Sequence, residues 1–250
     1  MGVRGSSILR ALGSGLQGLG AVLFPSLCLV CQDPLHLPLE GPLCRSCLDR
    51  LPRIEDPFCP RCGLPYPPGV EPGLCGPCRR APRYFRRARA HAPYVEEVRL
   101  CLHALKYGGR RRIASVLGRQ AARFCVGAGE LRGVSAVVPV PLSRGRRRER
   151  GFNQAEIIAR AVARRARLPL RCRVLRKTSE RPPQAGLSAA ARRKNVASAY
   201  RATLPPALRG ASLLLVDDVL TTGATAEAAA RALLLAGAGA VDVLTIARVP

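Results

Sequence analysis

Asp217 and Asp218 stand side by side at the end of the apolar run Leu213–Val216, and Thr221-Thr222-Gly223-Ala224-Thr225 follow at once. Adjacent carboxylates accept hydrogen bonds from vicinal hydroxyls and help to hold a divalent metal. A run of hydroxyls and small residues lets backbone N–H groups approach an anion closely. The Ala- and Leu-rich segment Ala226–Ala236, with Glu227 in its first turn, reads as a helix whose positive N-terminal end suits a phosphate. A short continuous apolar run before it reads as a buried strand. The junction is therefore strand, polar loop, helix, the place where an open α/β sheet receives ligands. A phosphate cradle beside a diol acceptor describes a phosphorylated sugar. An acidic pair at an apolar strand's end is costly without such partners.

This stretch resembles the phosphoribosyl-pyrophosphate (PRPP) motif of type I phosphoribosyltransferases. The resemblance implies that Asp217 and Asp218 bind the ribose hydroxyls, as the catalytic carboxylates, and that Thr221, Thr222, Gly223, Ala224 and Thr225 bind the 5′-phosphate.

A second chemistry lies near the N-terminus. Cys28 and Cys31 form a C-x₂-C pair, as do Cys44 and Cys47, with twelve residues between the pairs. Cys59, Cys62, Cys75 and Cys78 repeat the arrangement 31 residues later. Each repeat supplies four thiolates, enough for tetrahedral structural zinc, with no open position for catalysis. Spacing alone leaves open whether the ligands pair within each repeat or cross between them. Disulfides would need an oxidising compartment, to which nothing in the sequence directs the chain. A small zinc module buries too little apolar surface to fold without its metal. Cys101, Cys125 and Cys172 stand outside the pairs and read as small buried hydrophobes.

These groups sit in a chain of 250 residues that is 48% hydrophobic, hence globular, and that carries a formal net charge of +25. The excess is concentrated: residues 101–201 hold 25 basic and 4 acidic residues. That imbalance points to a polyanionic partner, a pyrophosphate ester or nucleic acid, although a preference for Arg over Lys also follows from a GC-rich genome. Trp is absent and aromatics make up 4%, which argues against base-stacking platforms. No apolar run is long enough to span a bilayer, and the chain reads as cytoplasmic.

Four segments position the chemistry. Residues 1–24 read as an N-terminal helix, 25–80 as a double zinc ribbon, 81–93 as a Pro- and Arg-rich basic linker, and 94–250 as the main domain. Tyr94–Lys106 and Ile113–Phe124 read as helices. Lys106 ends the first, either reaching a phosphate or complementing the helix dipole. Val134–Val140 reads as a buried strand, and Pro139 and Pro141 bracket a rigid exit. A loop bearing Arg144, Arg146, Arg147, Arg148 and Arg150 follows, then Asn153 and Gln154 at the mouth of an amphipathic helix. So many arginines at a strand's carboxyl end suit a pyrophosphate or a nucleic-acid backbone. After a strand near Arg173–Leu175, a long polar stretch with Pro182-Pro183 has the composition of a lid over a reactive ester.

Together, the cysteine pairs, LK-Y-G, VPVPL…RGFNQ, R-P-x-Q-x₂-L-x₄-R-x₂-N and VDDVLTTGAT resemble the ComF family in the same order. These are competence-associated, type I phosphoribosyltransferase-like proteins with an N-terminal double zinc ribbon. The resemblance implies an α/β fold, a central mostly parallel sheet flanked by helices behind the ribbon module. It implies structural zinc in two sites, and PRPP bound with Mg²⁺ near Val140, Pro141, Leu142 and Lys106. Arg181, Gln184, Leu187, Arg192 and Asn195 become a flexible-loop signature. The implied partners are PRPP, single-stranded DNA, DNA-uptake proteins and a second copy in a homodimer. Two functional readings stand: a phosphoribosyltransferase with an unknown acceptor, and a non-catalytic nucleic-acid-binding protein whose PRPP site is regulatory or vestigial.

Overall fold

The computed structural model describes residues 27–35, 42–178 and 199–250. The N-terminal helix expected over 1–24 and the loop signature Arg181–Asn195 lie outside the described residues. The chain divides into two compact units, Met1–Leu51 and Pro52–Pro250, so the division falls between the two cysteine repeats.

In the first unit, Leu27 and Pro34 bridge across a tight turn whose Gln32 takes a left-handed φ of 62°. Cys44 then caps the short helix α1 (Arg45–Asp49), its side chain accepting from Cys47 N. The second repeat copies these features 31 residues on. Phe58 bridges Pro65, Gly63 adopts φ 65°, and Cys75 precedes α2 (Gly76–Arg80). The two turns differ for a physical reason. A Cβ on Gly63 would stand 2.8 Å from the Ala88 carbonyl oxygen, so that position needs glycine for space as well as for φ.

The main sheet has four parallel strands in the order β1 (Arg87–Pro93), β6 (Ala240–Arg248), β5 (Ser212–Leu220), β2 (Val134–Pro139). All carboxyl ends therefore share one edge. A separate antiparallel hairpin joins β3 (Leu175–Lys177) to β4 (Tyr200–Ala202). Strand side chains alternate between faces. On one face Ala88, Ala136, Val138, Leu213, Leu215, Val241 and Val243 pack with the alanines of α7 (Ala224–Leu235), with the hairpin residues Leu175 and Tyr200, and with the second repeat's four cysteines. Helix α6 (Gln154–Ala166) packs on β2 and β5, while α4 (Arg112–Gly127) packs on β1 and β6. These two helices approach closely because Gly118 has no side chain; a Cβ there would lie 3.0 Å from Ala161 Cβ. The remaining helix of this series, α3 (Glu96–Lys106), buries Val98, Cys101, Leu102 and Leu105.

Several sequence expectations are corrected here. Residues 87–93 of the expected linker form β1, an edge strand of the sheet. Its alternation of Arg with Ala buries Ala88, Ala90 and Ala92 and leaves the arginines partly open, a period-two pattern masked by charge. Strand β5 continues past Val216 to Leu220, because pairing with β6 extends through Asp217↔Thr245 and Leu220↔Arg248. Both carboxylates therefore lie inside the strand. The arginine loop is the helix α5 (Arg144–Arg150), capped by Ser143 and stopped by Gly151 at φ 71°. It has no buried residue and so no apolar periodicity to reveal it. Cys101 and Cys125 are buried as expected, but Cys172 is only half-buried.

Replacing Gly63 by alanine should lower the unfolding free energy by about 1–3 kcal/mol, combining a left-handed β-carbon with a clash against β1. Urea unfolding followed by circular dichroism measures it; an unchanged midpoint would contradict the close approach.

Candidate ligand site and zinc centres

Because side chains alternate along β5, the two adjacent carboxylates are delivered to opposite faces of the sheet. Asp218 is buried on the side of α3 and α6. Lys106 Nζ stands 2.8 Å from its Oδ2, and Gln154 Nε2 donates to the same oxygen at 3.2 Å. Lys106 thus neither reaches freely toward a ligand nor merely caps its helix; it compensates a buried charge. Asp217 faces the other way. It lines a cavity of about 100 Å³ with Val140, Leu215, Thr245 and the whole Thr221–Thr225 loop. Burial pushes its carboxyl well above the ordinary aspartate range, and the neighbouring Asp218 charge pushes it further. The Asp218 backbone N–H, which donates to Asp217 Oδ1 at 2.8 Å, and Lys106 oppose this only in part. Such a carboxylate gains from a hydroxyl donor or a cation.

The loop beside it is open. Thr221, Thr222, Ala224 and Thr225 are exposed, and Gly223 turns the chain into α7 at φ 86° with no side chain to cap it. Thr222 Oγ1 accepts from Ala224 N at 3.4 Å. From beneath, Arg248 Nη1 donates to the carbonyls of Leu220 and Thr221, at 3.2 and 2.5 Å, and to that of Val249. A nearly buried arginine on a central strand fixes the start of the cradle, and its only trace in the sequence is a cation ending an apolar run.

Val140 lines the cavity while its N–H donates to Val216 O at 2.9 Å, and Pro141 and Leu142 lie half-buried just beyond. Asn153 and Gln154 do not belong to a phosphate or nucleic-acid surface. Both are buried: Asn153 caps α6 and donates to Val140 O at 3.0 Å, and Gln154 serves Asp218. Arg144, Arg146, Arg147 and Arg148 are exposed on α5, whereas Arg150 is half-buried with its guanidinium over the Tyr107 ring. Arg146 is close enough to the hairpin for its charge to act on Lys177. Burial first, then Arg146, lowers the Lys177 ammonium below its usual range, and Asp217 opposes them.

Each cysteine repeat gathers its own four thiols. Cys28, Cys31, Cys44 and Cys47 form one cluster and Cys59, Cys62, Cys75 and Cys78 the other, with all sulfurs of a cluster within 4.8 Å of one another. This resolves the pairing that spacing left open. The Cys31–Cys44 sulfurs are 3.7 Å apart and the Cys62–Cys75 sulfurs 3.5 Å. Tetrahedral zinc with bonds near ~2.3 Å separates its ligand sulfurs by about 3.8 Å, so the donor sets fit the metal. Backbone N–H groups also converge on sulfur in matching positions, Cys44 N on Cys28 and Cys75 N on Cys59, each at 3.3 Å. Burial alone would raise the Cys28 and Cys59 thiols. Backbone donors reverse that and bring both down to about 6, ready to ligate as thiolates. Purified protein should carry two zinc ions per chain, and Cys31→Ser or Cys62→Ser should each remove one. Elemental analysis checks this; two ions retained in either variant would contradict the assigned clusters.

With this geometry in hand, comparison with known proteins is direct. Residues 19–80 match the double zinc ribbon domain, and residues 150–250 match the phosphoribosyl transferase domain. The DNA utilization protein YhgH of Escherichia coli K12 is 34% identical over 90% of this chain and 97% of its own length. Competence protein F of Haemophilus influenzae is 28% identical over 88% of this chain and 96% of its own length. Competence protein ComFC of Bacillus subtilis is 27% identical, covering 92% and 98%. Shared length, the paired Cys₄ clusters and the parallel sheet that ends in the Asp217–Thr225 loop all agree: this chain belongs to the ComF family of double-zinc-ribbon, phosphoribosyltransferase-domain proteins.

Proposed function

We propose that this protein binds PRPP at the carboxyl edge of β5 and acts, as a ComF-type protein, in the handling of incoming single-stranded DNA in the cytoplasm. The observation that carries the proposal is the juxtaposition of the Asp217 carboxyl with the open Thr221–Thr225 turn around one small cavity. The 5′-phosphate sits on the loop amides and hydroxyls at the N-terminus of α7. The ribose diol donates to Asp217, whose carboxyl gains the donors that burial denies it. Asp218 keeps Lys106 and Gln154 fixed behind the sugar and holds β5 in place. Mg²⁺, bound with the pyrophosphate and helped by the hard oxygens of Asp217, would neutralise the departing charge. Arg146 lies on the side from which the pyrophosphate would be met. Transfer to an acceptor would then proceed by electrostatic stabilisation of pyrophosphate as it leaves an oxocarbenium-like carbon.

A second reading, nucleic-acid binding, is favoured by α5, where Arg144, Arg146, Arg147 and Arg148 are exposed on one short helix. The two readings are compatible, since the arginines border the proposed ligand site. Relatives named for competence and DNA utilization support a role with DNA. Among the described residues, no helix is long and apolar enough to cross a membrane.

Titrating PRPP by calorimetry, with and without Mg²⁺, tests the main reading. Binding should require Mg²⁺ and weaken more than tenfold in Asp217→Asn, which leaves the Asp218–Lys106 pair intact. No heat with the wild-type protein would sink the PRPP site. It should also tighten as pH rises, because the charged carboxylate is the better acceptor and the free protein holds Asp217 protonated to a higher pH than usual. For the DNA reading, replacing Arg146, Arg147 and Arg148 by alanine should reduce the salt slope of single-strand binding by about 2. A slope equal to wild type would place DNA elsewhere.

A further inference from the structure

The second cysteine cluster stands directly behind the phosphate loop, and one arginine joins them. Arg83 is only 18% exposed in its side chain. Its guanidinium lies close enough to Cys78 for the sulfur's charge to act on it, places Nη1 3.6 Å from Glu227 Oε1, and stands 3.8 Å from where a Cβ on Gly223 would be. The Tyr84 backbone N–H donates to the other Glu227 oxygen at 2.9 Å. Two polar atoms of this cluster, Arg83 Nε and Glu227 Oε1, are buried without a hydrogen-bond partner. Glu227 occupies the first turn of α7, the same helix end that offers its amides to the phosphate. A carboxylate there suits the bare helix but repels an incoming phosphate. Four thiolates around one Zn²⁺ carry a net negative charge and give Arg83 its anchor.

We propose that Arg83 is a positioning residue that couples the zinc state of the Cys59/Cys62/Cys75/Cys78 cluster to phosphate affinity. Held by the zinc-bound Cys78 thiolate, it neutralises Glu227 and keeps the α7 end attractive to the 5′-phosphate. Loss of zinc frees Arg83 from Cys78, loosens the Gly223 turn that packs on Arg83 and Phe85, and weakens ligand binding. The inference rests on the PRPP reading above and adds a regulatory input to it: the site senses metal at the second ribbon. Linkage makes the coupling reciprocal, so bound ligand must raise the zinc affinity of the second cluster by the same factor.

Calorimetry with PRPP and Mg²⁺ on wild type, Arg83→Met, Glu227→Gln and the double variant tests it, together with zinc transfer to a colorimetric chelator. Arg83→Met, with two zinc ions per chain, should bind PRPP about tenfold more weakly. Adding Glu227→Gln should restore most of that loss, which a merely structural role for Arg83 would not allow. Saturating PRPP should shift the equilibrium partition of zinc between protein and chelator toward the protein severalfold in wild type and have no effect in Arg83→Met. If wild type binds PRPP but Arg83→Met matches it, or the second substitution restores nothing, the coupling is wrong and the PRPP site stands. Should Arg83→Met fail to fold, a wild-type zinc partition at equilibrium indifferent to PRPP overturns the coupling by itself. Wild type that binds no PRPP overturns both.

Discussion

The compensation of Asp218 is the constraint on which the site depends. Two carboxylates in succession on a buried strand cannot both face solvent, since the strand's period sends one to each side. The inward one has to be paired, and Lys106 from the end of α3 and Gln154 from the start of α6 converge on it. Three elements are thereby pinned together behind β5. With Asp218 satisfied, Asp217 is left to carry a raised, under-partnered carboxyl into the cavity on the opposite face. One acid is compensated within the fold and the other is left facing the cavity. The Gln154 carbonyl oxygen remains without a hydrogen-bond partner, in keeping with a side chain oriented wholly by its donor end.

Legibility in the sequence followed the range of the interactions. The cysteine clusters are local: four ligands within twenty residues, repeated at a fixed period, declare their metal before any fold is known. The Asp-Asp…Thr-Gly-Ala-Thr loop is local too, because strand, turn and helix follow one another along the chain. What sequence could not show was supplied from afar. Lys106 meets Asp218 across 112 positions of chain, and Arg83 meets Glu227 across 144, so neither pair leaves a local pattern. In sequence Gln154 follows closely on the arginine run, whereas in space it is buried at the start of α6 against Asp218.

Charge also concealed structure. Arg87, Arg89 and His91 made β1 look like a connector, yet Arg87 and Arg89 both pair with Glu130, and Arg86 forks onto buried Asp242 at 2.9 and 2.5 Å. These arginines are spent on holding an edge strand to its domain. Part of the high positive charge is therefore internal wiring, which lowers the share available to a polyanion. The arginines of α5 differ in kind: no residue of that helix is buried, so their charge remains available to an anion.

The two cysteine repeats share one design but differ in their surroundings. In the knuckle Cys28-Leu29-Val30-Cys31 the left-handed position is Gln32, tolerated at some conformational cost. In Cys59-Pro60-Arg61-Cys62 it is Gly63, because β1 presses on that turn. Arg61 O accepts from Ala88 N at 2.7 Å, Pro60 O accepts from Arg89 Nη1 at 3.0 Å, and the Arg89 guanidinium lies over the Phe58 ring. The second cluster's cysteines accordingly share one core with the sheet and α7. Phe85 belongs to that same core, and a Cβ on Gly223 would stand 3.9 Å from its ring and 3.8 Å from Arg83 Nη1. The repeat thus gives the chain two four-cysteine clusters of the same design, of which the second lies within the core shared by the sheet and α7.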